Sequence, residues 1–467
     1  MPPTLALLLC IIFVVVLLWI EHKRYLGESN AMWVPTLWVL YSGSRPVSQW
    51  FNVGFVSSAD MSVESGNPIE RGILSLLIML GLMVLARRKM NWRQIITDNR
   101  WFLILFLYML VSVVWSDYPF VSLKRYIKNA GTVIMALVLL SEPSPCEAMR
   151  SVFVRTAYVL IPFSVILVKY FPRWGRGYTR WGGVEVWMGA TMTKNTLGVL
   201  CVISAFFLFW AIVRRWQGKQ PRTVRYETLA DLVVLGLTLW LLNGSKSASS
   251  LGVFMLGLAT FVVLRRLRAP VRHLGGFFLA GAGLVVLLSA LSSGSPMGLA
   301  ASVLGRDRTL TGRTDEIWAP LFKIALENPL LGVGYGGFWV KPVEGLDVNG
   351  IPINEAHNGY LDVFIQLGAV GIILFVPVWV SFFRRAQREF EYDRDWASFR
   401  ISILVVALLH NITETSWLGD TCLLWALFVC LFIVYPDSRA QESEAGLRQQ
   451  ESPATATREE EATFTAC

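Results

Sequence analysis

A succession of apolar runs, each close to the twenty residues that carry a helix across a bilayer, constrains this chain more than any other feature. Hydrocarbon offers no water to backbone N–H and C=O groups, so each run must satisfy them internally, as a helix. The runs lie near 4–20, 31–44, 72–86, 101–115, 127–141, 152–168, 190–213, 228–242, 247–264, 274–291, 359–383, 398–412 and 417–435. They predict an all-α polytopic membrane protein with about 12 or 13 transmembrane helices. With 54% hydrophobic and 16% charged residues, the chain is not a soluble globule around one core. Pro35 and the short run before Ser44 leave the second span barely long enough to cross. Leu5 to Ile20 lacks a basic leader and a small-residue cleavage site, so it reads as a retained anchor or first span rather than a signal peptide.

Lysine and arginine set the expected orientation. Arg87, Arg88, Lys89 and Arg93 form one basic loop, and Arg214, Arg215, Lys219, Arg222 and Arg225 a second. Arg265, Arg266, Arg268 and Arg272 form a third, and Arg384, Arg385 and Arg388 a fourth. All four fall on one face of the alternating spans, which the positive-inside rule makes cytoplasmic. The opposite, periplasmic face then receives Asn52 to Glu70, Ser116 to Arg125, Lys169 to Gly189 and a long loop from Ser292 to His357. This divides the chain into N-terminal transmembrane helices (1–291), a long periplasmic loop with short helices (292–357), C-terminal transmembrane helices (358–436) and a tail (437–467). The tail is rich in Glu, Gln, Ala, Ser and Thr and is expected to be disordered and cytoplasmic. The net charge of +9 is explained by inner loops facing anionic lipid and gives no reason to invoke nucleic acid.

Two outer loops hold the candidate chemistry. Lys169, Arg173, Arg176 and Arg180 crowd the shorter one against the positive-inside trend. For Lys169 and Arg173, lipid-headgroup contact or snorkelling explains the charge as well as a bound partner does. Arg180 stands beside Trp181, Gly182 and Gly183, where a glycine backbone lets an anion approach closely. The long loop, about 65 residues, exceeds a simple connector and is functional or disordered on length alone. Its tryptophans, Phe338 and a helical stretch around Ile317 to Leu326 favour a small folded cap. It carries Arg306, Arg308 and Arg313, a turn-rich segment from Asn328 to Gly337, and Asn354-Glu355-Ala356-His357-Asn358-Gly359.

The chain has four histidines. His22 and His273 sit in the basic inner loops and read as solvated, while His410, beside Asn411 and Glu414, either packs or lines a cavity. His357, at the entry to a span, is an ionisable group at membrane depth, where helix capping and catalysis compete as explanations. A histidine can take a proton from a hydroxyl. Arginines hold phosphate oxygens with fixed planar charge. The pair suits glycosyl transfer from a lipid diphosphate, in which an acceptor hydroxyl loses its proton and the departing diphosphate gains charge. The outer carboxylates are dispersed, with Asp315-Glu316 the one adjacent pair in the long loop, so no metal is expected, nor any cofactor. Phosphate-binding, dinucleotide and zinc signatures are missing from the sequence. Cys10, Cys201, Cys422 and Cys430 fall in spans and Cys146 and Cys467 on the inner side, so no disulfide framework is indicated.

The order of several short motifs resembles the bacterial O-antigen ligase and polymerase superfamily. They are Arg180-Trp181-Gly182-Gly183 leading to Lys194-Asn195-Thr196-Leu197-Gly198, then Gly312-Arg313 with Trp318, then Asn328-Pro329-Leu330-Leu331-Gly332-Val333-Gly334, then His357-Asn358-Gly359-Tyr360-Leu361 with Gly368 and Gly371. Trp115-Ser116-Asp117-Tyr118-Pro119 and Glu64-Ser65-Gly66-Asn67-Pro68 make it most similar to exopolysaccharide polymerases of the ExoQ type, over roughly residues 50 to 435. The resemblance implies a GT-C-like integral membrane transferase of the bacterial inner membrane, with its active site facing the periplasm and acting without metal and with inversion. It implies that Arg180 and Arg313 bind the diphosphate of an undecaprenyl-linked oligosaccharide and that His357 activates the acceptor hydroxyl. Arg176, Lys194, Arg306, Arg308 and His410 are accessory candidates. Membrane lipid, a chain-length regulator and a flippase are the implied partners. Lys194, where ligases often carry another residue, fits the polymerase branch. A ligase transferring finished glycan to a lipid A core would use the same residues, and a transporter of polysaccharide or lipid-linked sugar is the alternative of another class. A transporter would show internal repeats and broken helices around a central path, and a scaffold would need none of this chemistry.

Overall fold

The computed structural model describes residues 1–24, 29–51, 67–179, 183–216, 225–266, 313–341, 343, 347–348, 351–391 and 393–433. Each apolar run within them forms a helix, and the run at 274–291 lies outside them. Helices α1 (Pro3–Arg24), α2 (Trp33–Ser42), α3 (Val47–Trp50), α4 (Pro68–Arg87), α5 (Trp92–Asp98), α6 (Arg100–Ser112), α7 (Pro119–Leu140) and α8 (Pro145–Tyr170) precede a short α9 (Pro172–Gly175). An antiparallel hairpin of β1 (Arg176–Tyr178) and β2 (Glu185–Trp187) leads to α10 (Lys194–Trp216), α11 (Arg225–Gly244) and α12 (Ala248–Arg266). Beyond these come a helical turn at Arg313–Trp318, α13 (Ala319–Ala325), a two-residue ribbon of β3 (Asp347–Val348) and β4 (Ile351–Pro352), then α14 (Gly359–Glu389), α15 (Arg394–Thr413) and α16 (Leu423–Phe432).

Eight of the described helices are long and apolar enough to cross a bilayer, or nine if α5 and the segment Arg100–Trp115, bent by 87°, count as one span. Three further apolar runs give helices outside that set. Helices α2 and α16 have ten residues each, and α7 carries Lys124, Arg125 and Lys128 within its first three turns. The architecture is that of an all-α polytopic membrane protein. Local sequence sets the helix starts: Asn67 caps α4 ahead of Pro68, Asn91 caps α5, Asn358 caps α14 and Asp393 caps α15 through side-chain acceptance of backbone N–H groups. Helices α8, α10 and α15 are buried along most of their length, whereas α1 and α4 turn Ile11, Ile12, Val15, Leu76 and Met79 outward. In a membrane protein such apolar surface faces lipid.

Antiparallel packing sorts the helix termini into two ends. At one end Arg24 of α1 lies 2.9 Å from Glu227 of α11 and 2.8 Å from Glu21, and Arg150 of α8 lies 3.0 Å from Glu21 and 2.8 Å from Glu147. Arg215 pairs with Asp231, Arg88 with Glu142, Arg265 with Asp395 and Arg400 with Glu389. Three of the four basic groups singled out in the sequence thus contribute to these pairs through Arg88, Arg215 and Arg265, and Arg385 of the fourth donates to the carbonyls of Phe432 and Asp98. The other end gathers the start of α10, the turn before α12, the start of α14 and the end of α15.

A second device fixes the loop to the membrane helices. Helix α14 is broken at Gly368, whose φ of 63° interrupts the ladder. The break frees the N–H groups of Ala369 and Val370 and the carbonyls of Ile365 and Gln366, the four groups that two i to i−4 bonds would have joined. The Pro329–Gly334 segment takes up all four. Ala369 N donates to Pro329 O (2.8 Å), Val370 N to Leu330 O (3.1 Å), Val333 N to Ile365 O (3.0 Å) and Gly334 N to Gln366 O (2.9 Å). The Tyr108 hydroxyl donates to the neighbouring Leu367 carbonyl at 3.0 Å. Unpaired backbone at membrane depth is thereby avoided. Gly334 has a φ of 93°, and a Cβ there would sit 2.7 Å from the Ser112 carbonyl.

Gly334→Ala is expected to destabilise the protein by about 1–3 kcal/mol from backbone strain alone, read as a lowered unfolding temperature in detergent. Gly72→Ala and Gly236→Ala, where a Cβ meets nothing within 4 Å, should leave it unchanged or slightly raised. Arg150→Leu, which strips a partner from the fully buried Glu21, should cost about 3 kcal/mol; an unaltered transition would show that the network contributes no stability.

Candidate active site

Four helix ends meet around Glu414, the residue after α15. Its side chain is 6% exposed. Asn195, on the first turn of α10, donates its amide to Glu414 Oε1 at 2.7 Å, and Ser247 donates to Asn195 Oδ1 at 3.0 Å from the turn before α12. Ser249 Oγ lies 3.5 Å from the same carboxylate oxygen. The Glu414 carbonyl accepts from Gly359 N at 3.1 Å, which joins it to the start of α14. Two glycines permit this convergence. A Cβ on Gly198 would overlap Ser250, and one on Gly359 would overlap the Asn411 amide, whose Oδ1 accepts from Ser416 N and Trp417 N at 2.8 and 2.9 Å.

His357 completes the group. Its Nδ1 lies 3.3 Å from Glu414 Oε2 and 3.2 Å from Glu355 Oε1, and its side chain is 15% exposed. The backbone at His357 is left-handed, with φ of 49°. Such a conformation is uncommon away from glycine, and its cost is borne where surrounding structure requires it. Asn358 follows at once, and its Oδ1 accepts from Tyr360 N and Leu361 N at 3.0 and 3.1 Å. The turn thus aims the ring at the carboxylates while the next residue starts a helix. Two carboxylates at Nδ1 favour the tautomer with the proton there, leaving Nε2 with a lone pair.

The other sequence candidates are distributed as follows. Arg180, Arg306 and Arg308 lie outside the described residues. Arg313 opens the helical turn Arg313–Trp318, which is tied to the neighbour of His357 because Trp318 Nε1 donates to Ala356 O at 3.0 Å. Ile317, Leu321, Ala325, Ile353, Ala356 and Ile365 form a small apolar core beneath it. Lys194 is the first residue of α10, next to Asn195. Arg176 is held within the β1–β2 hairpin, donating to Val168 O at 2.8 Å and to Glu185 Oε1 at 3.0 Å. That engagement makes it part of the loop's framework. His410 is 2% exposed, with Nδ1 3.1 Å from Ser416 Oγ. Lys169 lies 5.1 Å from the Trp240 ring, a snorkelling arrangement.

Residues given no role from the sequence matter here. Glu414 entered the sequence reading only as a neighbour of His410, although a carboxylate closing an apolar span is a signal in its own right. Glu355 was one of the dispersed loop carboxylates. Arg45 was not singled out at all. Its buried guanidinium donates to the carbonyls of Trp174, Gly189 and Thr191 at 2.7, 2.9 and 2.9 Å and lies 4.7 Å from the Trp50 ring, so it holds both flanks of the β1–β2 hairpin. Burial lowers its pKa.

Two cavities flank the group. One, of about 320 Å³, is lined by Glu355, Glu414, His410, Asn195 and hydroxyl side chains from the ends of α2, α10 and α16. The second is an apolar groove of about 530 Å³ between Trp318, Phe322, Tyr360, Leu361, Phe364 and Ile412, with Asn358 at its edge. His357 stands between them in the chain: Glu355 lines the polar cavity and Asn358 the groove. The ligating atoms of Glu355, His357 and Glu414 lie within 4.8 Å of one another, a spread that a divalent ion could also span.

Comparison with known proteins matches this picture. Residues 232–376 fit a family model described as O-Antigen ligase, a stretch that includes Arg313, the Pro329–Gly334 clasp and His357. The chain is 25% identical over 348 residues to the "Exopolysaccharide production protein ExoQ" of Rhizobium meliloti, covering 69% of this chain and 74% of that protein. With its all-helical membrane architecture, an O-antigen ligase match through its centre and ExoQ-like sequence along most of its length, the chain resembles the bacterial O-antigen ligase and polymerase superfamily and is similar to its exopolysaccharide branch.

Proposed function

We propose that this protein is a glycosyltransferase that polymerises undecaprenyl-diphosphate-linked oligosaccharide repeat units into exopolysaccharide or O-antigen, at the periplasmic face of the bacterial inner membrane. The observation that carries this reading is the placement of His357 Nδ1 against Glu414 and Glu355, two carboxylates that line the hydroxyl-bearing cavity. The similarity to a protein named for exopolysaccharide production supports it. So does the gathering of the basic helix ends at the opposite end of the bundle, which the positive-inside rule assigns to the cytoplasm.

The acceptor sugar enters by the polar cavity, and the isoprenoid of the donor lies along the groove. His357 Nε2 takes the proton of the acceptor hydroxyl as its oxygen bonds to the donor's anomeric carbon. The bond from that carbon to the diphosphate oxygen breaks, and the electron pair leaves with the lipid diphosphate. Glu414 and Glu355 stabilise the imidazolium, as a carboxylate does for a general-base histidine. Arg180 and Arg313 neutralise the departing diphosphate. Lys194, Arg306 and Arg308 add to the cationic surface that draws the headgroup. A chain-length regulator and a flippase are the partners such a reaction calls for. The family model's own description favours a second reading, transfer of finished glycan to a lipid A core, with the same donor and the same residues.

His357→Ala is expected to insert normally and to lower transfer about 10²–10⁴-fold, with lipid-linked single repeat units accumulating; wild-type polymer would sink the proposal. Glu414→Gln presents an amide N–H to Nδ1 and favours the wrong tautomer, so its loss should approach that of removing the base. Chelators should leave the rate unchanged. A chelator-sensitive rate restored by divalent ions would instead assign Glu355, His357 and Glu414 to a metal. Loss of long chains with single-unit caps retained on lipid A identifies a polymerase, and free lipid-linked long chains identify a ligase.

A further inference from the structure

The polar cavity beside His357 has a chemistry that the apolar groove lacks. Its described lining includes three carboxylates, Glu355, Glu414 and Asp420, and no lysine or arginine. Hydroxyls dominate the rest, with Ser44, Thr193 and Thr415 on three different segments. The volume of about 320 Å³ stands at the small end of ligand sites, about 300–1,000 Å³, and so suits one sugar ring rather than an extended oligosaccharide.

We propose, resting on the transferase reading above, that this cavity is the acceptor subsite and that it selects a neutral or amino-bearing sugar ring against an acidic one. Hydroxyl and carboxylate side chains bond sugar O–H groups as acceptors, and an ammonium substituent gains charge pairing. A uronate or other anionic substituent meets carboxylates instead. Lys128 lies 3.4 Å from Asp420 and is paired with it, and neither Lys128 nor Lys194, the first residue of α10, is among the described lining. Like charges placed together in a partly buried site discriminate strongly against the wrong ligand.

The test uses the full-length protein in liposomes, with the lipid-linked repeat unit as donor and three acceptors of one configuration: an aryl β-glucoside, a glucosaminide and a glucuronide. The glucoside and glucosaminide should be elongated, and the glucuronide should show a kcat/KM lower by about 30-fold or more. Asp420→Asn, which removes one carboxylate and frees Lys128, should narrow that gap to a few-fold. Thr421→Lys, which adds a cation to the lining, should do the same should Asp420→Asn fail to fold. Equal use of the glucuronide by the wild type overturns the inference while leaving transfer itself intact. No transfer to any of the acceptors overturns the transferase reading and this inference together.

Discussion

One carboxylate holds the candidate site together. The Glu414 side chain is reached by Asn195 from α10, by the Ser247 turn before α12 through Asn195 and by the His357 ring, and its main-chain carbonyl accepts from the Gly359 amide of α14. A buried carboxylate is costly unless every lone pair is engaged. Four helix ends must therefore arrive together, and the glycines at 198 and 359 are where they come close enough to do so. The polar geometry of the site and the packing of the bundle are in this sense a single constraint. Neither can relax without exposing the other.

The opposite end is built differently. There, charges pair across helix ends in a network that includes Glu21, Arg24, Arg150 and Asp231. Their role is consistent with anchoring, since several arginines share carboxylates that would otherwise be buried alone.

Much of this was legible in the sequence, for reasons that particular residues make plain. Apolar runs become helices because hydrocarbon permits little else, so the helices of the membrane bundle follow from local signals. His357 stood out in the sequence as an ionisable side chain at a span entrance, and it lies against Glu355 and Glu414. Glu414 did not, because its role depends on Asn195 and His357, 219 and 57 residues away, and sequence spacing carries no record of such meetings. Arg45 escaped notice for the same reason: its three carbonyl partners are main-chain atoms of another loop. Arg176, an accessory candidate from the sequence, pairs with Glu185 of its own hairpin, a partner that spacing alone does not reveal. The glycine-rich motif from Asn328 was recognisable as a motif, yet nothing in its letters says that it completes the hydrogen bonds of a helix lying thirty residues further on.

That last arrangement has an evolutionary corollary. Because the Pro329–Gly334 segment and the Ile365–Val370 step of α14 exchange main-chain bonds in fixed register, the two can drift only as a matched pair, and a one-residue insertion in either would strand donors and acceptors in both. A change of length in the chain between the two segments, by contrast, leaves their mutual register as it is.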